Sequence, residues 1–234
     1  MIVEEPCNTE RVVEQISDIW EPLSEQQRDF LSQHINIRIY SKNEMLYEEG
    51  DEPLYLMCLL SGKVKVFMSG VGNRQQIVRT IKEQGFFGYR AAFVRERYQT
   101  SASAIETSTV CLIPVNIIIE LIKSNISLAI YFIKQLATML GEADTLTINL
   151  TQKHLRGRLA ESLISLKDKY GVEEDGSTLS VYLSREDMAC LSNMTTSNAI
   201  RTLSAFATEN LIAIDGRKIK IIDDSKLRKI STIG

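Results

Sequence analysis

Residues 184–206 carry the side chains best suited to contact a polyanion. Ser197 and Arg201 are four residues apart on a predicted helix, so they point the same way, and Thr196 lies beside them. Short hydroxyls near a helix start reach phosphates or base edges, and an arginine one turn later can bind O6 and N7 of guanine. The pattern indicates a nucleic-acid contact. An ordinary helical hairpin with a solvated polar face is the alternative that periodicity leaves open.

Two short helices joined by a tight turn would position these side chains. Ser184 is suited to N-cap the first helix, and either Thr195 or Thr196 to cap the second. Asn193 suits the turn, because asparagine tolerates the left-handed conformation. Apolar residues recur at helical spacing and predict the buried faces, at Met188 and Leu191, then at Ala199, Leu203 and Phe206.

A basic β-hairpin is predicted directly after the helices. Asp215-Gly216 lies between the alternating apolar residues of 210–222, which is a strong hairpin signal. Arg217, Lys218 and Lys220 place positive charge at or just past its tip. A helix pair followed by such a hairpin predicts a winged helix-turn-helix, with the wing placed to touch phosphate.

The order of these elements resembles the Crp/Fnr family of bacterial transcription regulators. Residues 184–206 match the family's helix-turn-helix, with Arg201 at the position of its guanine-reading arginine, and residues 155–160 match the start of its DNA-binding domain. The resemblance covers the chain from about Leu23 to Ile222. The DNA-binding residues that it and the wing imply are Arg185, Thr195, Thr196, Ser197, Asn198, Arg201, Arg217 and Lys218.

The N-terminal half is predicted to form short β-strands arranged as a small barrel or roll. Alternating or buried apolar runs occupy residues 35–40, 54–60, 63–68, 77–81 and 101–114. The turn-containing segments 50–53, 61–64 and 85–88 follow the order of the cyclic-nucleotide-binding roll of the same family, which they resemble.

The resemblance also identifies the position of an effector pocket. In family members that bind cyclic AMP, the pocket segment opens with Gly-Glu, which holds the ribose, and closes with Arg-Ser, which holds the phosphate. The matching pairs here are Gly88-Tyr89 and Gln99-Thr100, so both charged anchors are absent. An uncharged glutamine cannot replace arginine as the partner of a buried phosphate. The candidate pocket residues are Gly88, Tyr89, Arg90, Ala91, Gln99 and Thr100.

We therefore expect neither cyclic AMP nor cyclic GMP to be the effector. Arg90, Arg95 and Arg97 lie close in sequence and are the residues that could compensate. An empty roll kept as a scaffold and a roll with a different, unknown small-molecule effector both remain open.

A long helix is predicted between the two halves. Ile130, Ile133, Ala137, Leu140 and Asp144 are spaced three or four residues apart and form a narrow seam without proline. The resemblance implies that this helix pairs with its twin in a parallel homodimer, and packing onto its own domain is the alternative. Residues 149–154 are polar and precede Gly157, which predicts a hinge. The predicted domains are 1–124, 125–153 and 154–234.

Charge, cysteines and histidines limit the remaining possibilities. Residues 1–150 hold 14 Lys and Arg against 19 Asp and Glu, whereas residues 151–234 hold 13 against 11, so the C-terminal part is the better match for nucleic acid. An iron–sulfur regulator of this family uses several N-terminal cysteines, and only Cys7 lies there. Haem on His34 or a methionine stays an alternative, but the expectation is no metal and no cofactor.

Enzymatic, secreted and membrane-spanning classes are disfavoured. No phosphate-binding loop, nucleophile elbow, zinc-protease motif or dinucleotide fingerprint occurs, so we predict no catalytic residues. The acidic start is unlike a signal peptide, no apolar run approaches membrane-spanning length, and four cysteines without CxxC spacing suit a reducing cytoplasm.

The sequence thus predicts an α+β protein with an N-terminal double-stranded β-roll, a long dimerisation helix and a C-terminal winged helix-turn-helix. The predicted function is homodimeric, sequence-specific regulation of transcription in the cytoplasm on a near-palindromic operator in double-stranded DNA. RNA polymerase is a further candidate partner. The alternative is a sensor or adaptor roll that signals through protein contacts without binding DNA.

Overall fold

A computed structural model of the chain describes Val12 and residues 16–233. Cys7, on which the argument against an iron–sulfur cluster depends, lies outside the described residues. The chain divides into two compact units, Met1–Met68 with Arg79–Gly141, and Ser69–Val78 with Glu142–Gly234. The division falls within the long helix, between Gly141 and Glu142.

Two short helices, α1 (Ser17–Trp20) and α2 (Glu25–Ser32), begin the described fold. A capping box starts α2: Ser24 Oγ accepts a hydrogen bond from the Gln27 amide at 3.4 Å, and Gln27 Oε1 accepts one from the Ser24 amide at 3.1 Å. Leu31 on this helix is fully buried, which fixes the helix against the roll.

Eight strands form two four-stranded sheets, which confirms the predicted roll. Their bounds are β1 (Asn36–Tyr40), β2 (Met45–Tyr47), β3 (Tyr55–Ser61), β4 (Val64–Ser69), β5 (Gln75–Ile81), β6 (Phe86–Phe87), β7 (Ser101–Ala104) and β8 (Ser108–Pro114). One sheet has the order β1-β8-β3-β6 and the other β2-β7-β4-β5. A 3₁₀ turn, Val71–Asn73, joins β4 to β5.

The turn after β3 requires glycine at position 62. Gly62 has φ +92°, and a Cβ there would lie 2.5 Å from Ser108 Oγ and 2.6 Å from the Thr107 carbonyl oxygen. Neither the left-handed backbone nor the close approach of β8 leaves room for a side chain. The glycine therefore fixes the point at which the chain passes from one sheet to the other.

Three further helices follow in the N-terminal part of the chain: α3 (Tyr89–Val94), α4 (Val115–Ser124) and α5 (Ile126–Gln152). Asn125 starts α5, because its Oδ1 accepts from the Leu128 amide at 3.2 Å while its Nδ2 donates to the Pro22 carbonyl at 2.8 Å. Leu128 and Phe132 on α5 join Ile118 and Leu121 of α4 in the apolar core of the roll.

The predicted seam of α5 is exposed in the single chain. Ile130, Ile133 and Leu140 expose 45%, 64% and 65% of their surface, and Ala137 between them is exposed too. We call these four residues the α5 stripe. They do not pack onto their own roll, which was the alternative to pairing with another chain.

The C-terminal part forms a second core around a winged helix-turn-helix. Its elements are α6 (Leu155–Tyr170), α7 (Arg185–Leu191), α8 (Thr196–Thr208), β9 (Ile212–Asp215), β10 (Lys218–Ile221) and α9 (Asp224–Ile233). Gly157 lies buried within the first turn of α6. The break between α5 and α6 falls at Lys153 and His154, within the polar segment 149–154, and a hinge there stays a prediction.

The last helix, α9, is attached to α6 by ion pairs. Arg228 donates to Asp168 at 2.6 Å, and Lys167 donates to Asp224 at 2.7 Å. Leu227, fully buried, adds the apolar part of this contact.

No single helix in the described part of the chain has the length and apolarity to cross a membrane. Only α4 and α5 taken together meet that test, as a pair bent by 118°. Four residues of α4, namely Val115, Ile117, Ile118 and Leu121, are buried in the roll.

Candidate functional site

Side-chain caps fix the starts of both helices of the helix-turn-helix. Ser184 Oγ accepts from the Asp187 amide at 2.9 Å, and Thr195 Oγ1 accepts from the Asn198 amide at 3.2 Å. Thr195, rather than Thr196, is therefore the cap of α8. Asn193 adopts the left-handed conformation expected of it, with φ 49°.

The buried face of α8 is the predicted one: Ala199, Leu203 and Phe206 are all at most 1% exposed. The guanidinium of Arg156 on α6 lies 4.7 Å from the Phe206 ring centroid and pairs with Glu209. Polar and apolar contacts thus hold α8 on α6 and determine which side of it faces outward.

The outward side of α8 presents Thr196, Ser197 and Arg201, and all three are exposed. Arg201 Nη2 donates to Asn198 Oδ1 at 2.6 Å, so Asn198 holds the guanidinium one turn above the hydroxyls. Ile200, beside them, is 47% exposed and adds an apolar contact surface. The arrangement supplies hydroxyls at the helix start and a fork of N–H donors further along, which suits phosphate and guanine respectively.

The wing is the hairpin of β9 and β10, and its turn is shifted from the prediction. Asp215 pairs with Lys218, so the two turn residues are Gly216 and Arg217 rather than Asp215 and Gly216. Gly216 has φ 55°, as such a tight turn requires. Asn210, predicted in the strand, has φ 56° and terminates α8 instead.

Only one of the three wing cations is without a partner in the described part of the chain. Arg217 is exposed at the turn. Lys218 Nζ lies 5.8 Å from the Tyr182 ring centroid, and Lys220 Nζ lies 3.4 Å from Asp175 Oδ2. Hydrogen bonds from Thr178 and Ser177 hold the pKa of Asp175 well below its usual range, so this carboxylate stays charged beside Lys220.

Arg185 lies under the wing tip. Its Nη2 donates to the Gly216 carbonyl oxygen at 2.6 Å, and its Nη1 is buried without a hydrogen-bond partner among the described residues. This side chain, predicted from sequence to contact DNA, is used within the domain to hold the wing.

Most of the predicted effector residues line one cavity in the roll. Gly88, Tyr89, Arg90, Ala91 and Thr100 lie around it. Gln99 does not: it is exposed, accepts from Arg90 at 3.4 Å and donates to Glu96 at 3.1 Å. The other two arginines of this segment are not among the lining residues either. Arg97 donates to the Gly50 carbonyl at 2.7 Å, and Arg95 is exposed.

Tyr89 fills the interior side of the cavity. It is 2% exposed, its hydroxyl donates to Met139 Sδ at 3.3 Å, and its ring centroid lies 5.3 Å from that of Phe132. It therefore connects α3 to the long helix α5.

Five residues that line this cavity were not predicted from the sequence: Tyr47, Arg79, Phe87, Tyr98 and Met139. The two tyrosine rings stack, with centroids 3.8 Å apart and an 18° angle between their planes. Tyr47 lies on a three-residue strand that the sequence did not reveal. Arg79 could have been recognised from the sequence as a pocket candidate, because it is a cation among the apolar residues of the predicted strand 77–81.

No group of three or more metal-ligating side chains occurs in the described residues. His34 Nδ1 is 2.7 Å from the Phe30 carbonyl oxygen. Cys58 and Cys111 face each other across β3 and β8 and are fully buried, and burial raises the pKa of the Cys58 thiol.

Comparison with known protein families gives two matches in tandem. Residues 37–125 match the model of the cyclic nucleotide-binding domain, and residues 157–230 match that of the Crp-like helix-turn-helix domain. The first covers the roll with α4, and the second covers the winged helix-turn-helix. The fold and the site thus define a regulator in which a cyclic-nucleotide-binding-like roll precedes a DNA-binding domain.

Relatives with the same organisation are transcription regulators. Electron transport regulator A of Shewanella oneidensis is 24% identical over 191 residues, which are 81% of this chain and 76% of that protein. The anaerobic regulatory protein of Bacillus subtilis is 26% identical over 180 residues, 76% of each chain. Among solved structures, FixK2 of Bradyrhizobium japonicum has the same fold, with a TM-score of 0.76 at 20% identity over 84% of this chain and 96% of its own.

The chain belongs to the Crp/Fnr family of transcription regulators. It is therefore a DNA-binding regulator of transcription and not an enzyme. The resemblance noted in its sequence is confirmed, and so are the roll, the long helix and the helix-turn-helix.

Proposed function

We propose that the protein is a homodimer that reads a near-palindromic operator with α8 in the major groove. The observation that carries this proposal is the exposed face of α8, where Thr196, Ser197 and Arg201 point outward from a helix whose opposite side is fully buried. Arg201 donates two hydrogen bonds to a guanine in each half-site, which is the commonest specific contact between an arginine and a base.

The free protein already restrains the Arg201 side chain. The hydrogen bond to Asn198 restricts the guanidinium without removing its remaining N–H donors. Restricting a long side chain before binding lowers the conformational entropy cost of docking on DNA. Thr195 accepts through its oxygen at the helix start, so its hydroxyl hydrogen is left for a phosphate oxygen.

The wing contributes affinity more than specificity. Arg217 is exposed at the turn and would contact phosphate, with Lys218 next to it on the strand. Phosphate contacts position a protein on the duplex and do not read sequence.

Dimerisation would proceed through the α5 stripe. Members of this family act as dimers, and the stripe offers apolar side chains at the spacing of a coiled-coil seam. Two parallel copies of α5 would bring two copies of α8 to two half-sites, so a symmetric operator mirrors the symmetric dimer. Because DNA is the partner, the site of action is the cytoplasm, where RNA polymerase is a further candidate partner.

Regulation would not use cyclic AMP. Tyr89 lies where a ribose-binding carboxylate is found in cyclic-AMP-binding members, and Gln99 lies outside the cavity, so the roll has neither of the anchors. The roll is then constitutive or responds to another effector.

A mobility-shift experiment tests the proposal against the adaptor alternative. The full-length protein is mixed with random-sequence duplexes, bound DNA is recovered and amplified over several rounds, and the final pool is compared with the first. Enrichment of a two-fold symmetric sequence supports the proposal, and no retention of any duplex at low salt contradicts it. Arg95→Gln removes the same unit of charge from the roll as an Arg201 variant removes from α8, and serves as the control.

A further inference from the structure

The roll cavity has an unusual balance of charge and hydrogen-bonding groups. Among the described residues, those that line it include two arginines, Arg79 and Arg90, and no carboxylate. Neither guanidinium forms an ion pair within the described chain, and Arg90 has only the amide oxygen of Gln99 at 3.4 Å. Two unpaired cations beside one partly enclosed cavity make it a favourable place for an anion.

A buried donor without a partner faces the same cavity. Tyr98 is 5% exposed, and its hydroxyl has no hydrogen-bond partner in the described part of the chain. Its oxygen would lie 3.1 Å from a Cβ built on Gly88, and both residues line the cavity, so the hydroxyl lies at the cavity wall. A buried polar group left unpaired is costly, which indicates that an acceptor from outside the chain completes it.

Two more hydroxyls lie close by. Tyr47 and Thr100 are within 3.3 Å of each other at their oxygens, and the Tyr47 ring stacks on Tyr98. Burial raises the pKa of both tyrosines, so each stays a protonated O–H donor at neutral pH. The cavity therefore presents cationic and neutral donors and lacks the acidic acceptor that a ribose would need.

The tyrosines also limit the size of what can enter. Tyr89 occupies the interior side and the Tyr47–Tyr98 stack a second side, so the enclosed part holds about one water molecule, whereas the cavity is open to solvent at Arg90, which is exposed. A purine and a ribose cannot fit without displacing one of these buried rings.

We propose that the roll binds a small oxyanion between Arg79 and Arg90, with the Tyr98 hydroxyl as a third donor. One oxygen of the ligand would fill the enclosed part of the cavity and the rest would lie at its open side beside Arg90. Nitrate, inorganic phosphate and short carboxylates suit such a site, and they differ in class from the cyclic nucleotides after which the matching domain is named. Binding would contact α3 and, through the Tyr89 hydroxyl on Met139, the long helix α5. The proposal concerns the roll alone and stands whether or not α8 binds DNA.

Thermal unfolding and titration calorimetry of the full-length protein test it. Sodium nitrate, phosphate and acetate are added in turn at constant ionic strength, balanced with a bulky sulfonate, and cyclic AMP is the oversized probe. We expect at least one small anion to raise the Tm by a few degrees at saturation, through mass action on the folded state. We expect no response to cyclic AMP.

Variants of the cavity arginines distinguish binding at this cavity from a general effect of salt on stability. Arg79→Gln and Arg90→Gln should each weaken binding of the responding anion by about tenfold or more, because each removes a charged donor. Arg95→Gln removes the same charge from the same segment without lining the cavity, and should bind as the wild type does.

Tyr98→Phe distinguishes a hydroxyl that binds the anion from one that only stabilises the fold. It removes the unpaired hydroxyl and keeps the ring, so the ligand-free Tm should stay equal or rise while anion affinity falls. Absence of any anion response in the wild type would overturn the proposal, as would equal responses in the wild type and both cavity arginine variants. A stronger response to cyclic AMP than to the small anions would overturn it too. Operator binding is measured separately, so the two proposals can fail independently.

Discussion

Arg185 donates a hydrogen bond from Nη2 to the carbonyl oxygen of Gly216 at 2.6 Å, which joins the first residue of α7 to the tip of the wing. Its other terminal nitrogen, Nη1, is buried and has no partner among the described residues. Arg217, the next residue after Gly216, is exposed. One arginine therefore holds the turn from beneath while its neighbour on the turn faces outward.

This division of roles predicts different salt dependences for two variants. Arg217→Ala should lower the slope of log Kobs against log salt by about 0.9 for each phosphate that is no longer neutralised, or about 2 per dimer. Arg185→Ala should weaken operator binding with a smaller change in slope, because it releases the wing without itself uncovering a phosphate. Filter binding at four or five salt concentrations measures both, and equal slope changes would show that Arg185 contacts phosphate directly.

The α5 stripe predicts that two apolar side chains control dimerisation. Ile133→Glu or Leu140→Glu should raise the dissociation constant of the dimer by about 100-fold or more, since each removes an apolar side chain from both copies of the seam. Thr138→Glu places the same charge on another side of the helix, where the residue is exposed, and should leave the dimer intact. Sedimentation equilibrium measures the dissociation constant of each variant. Unchanged dimers in both stripe variants would show that the dimer interface lies elsewhere.

Local patterns predicted the helix-turn-helix well because its determinants lie close together in sequence. The cap at Ser184, the turn at Asn193 and the stripe of Ala199, Leu203 and Phe206 each depend on spacings of three to eight residues. The roll was predicted for the same reason, from alternation within strands and from the glycine at position 62. Such local signals do not depend on which distant residues pack against the element.

The details that the sequence could not show depend on contacts distant in sequence. Nothing near Arg185 in the sequence shows that Gly216, 31 residues later, accepts its hydrogen bond, and a contact of Arg185 with DNA stays a prediction. Tyr47 and Tyr98 stack across 51 residues, so their part in the cavity was invisible too. Gln99 was included by its position in the family motif, but its side chain turns outward to Glu96.

Acid should release the C-terminal helix α9 first. Hydrogen bonding to Lys167 holds the pKa of Asp224 below its usual value, and hydrogen bonds from Ser231 and Lys153 outweigh burial to lower that of Glu161 as well. A carboxylate with a lowered pKa in the folded state contributes stability above its unfolded pKa, near 4, and loses it as the pH falls through the folded value.

Asp224→Asn should therefore lower the free energy of unfolding by roughly 1 kcal/mol or less at neutral pH, as expected for a partly exposed ion pair. It should also reduce the pH dependence with which the α9 amides lose protection against hydrogen exchange between about pH 5 and pH 2. Amide hydrogen exchange of the α9 backbone, followed as a function of pH, measures this loss of protection. Glu174→Gln, at an exposed loop carboxylate, is the control and should change nothing. A steeper acid loss in the Asp224 variant would contradict the assignment.

The buried thiols predict resistance to alkylation. Cys58 and Cys111 are fully buried, and burial raises the pKa of the Cys58 thiol, so little thiolate is present at neutral pH. Iodoacetamide should modify neither residue in the folded protein and both after denaturation, as peptide mass spectrometry would show. Rapid modification of either one under native conditions would mean that the roll opens far more readily than its packing indicates.

The most direct test is sequence selection by the wild-type protein and by Arg201→Ala, with Arg95→Gln as the charge-matched control. We expect a two-fold symmetric motif with a strong guanine in each half-site. Preferences at the neighbouring bases should be weaker, because Thr196 and Ser197 offer hydroxyls, which discriminate less than charged side chains. Arg201→Ala should weaken the free energy of operator binding by about 1–3 kcal/mol per half-site and remove the preference for that guanine alone. An unchanged motif in the Arg201 variant, or no enriched motif for the wild type, would contradict the claim that α8 reads DNA.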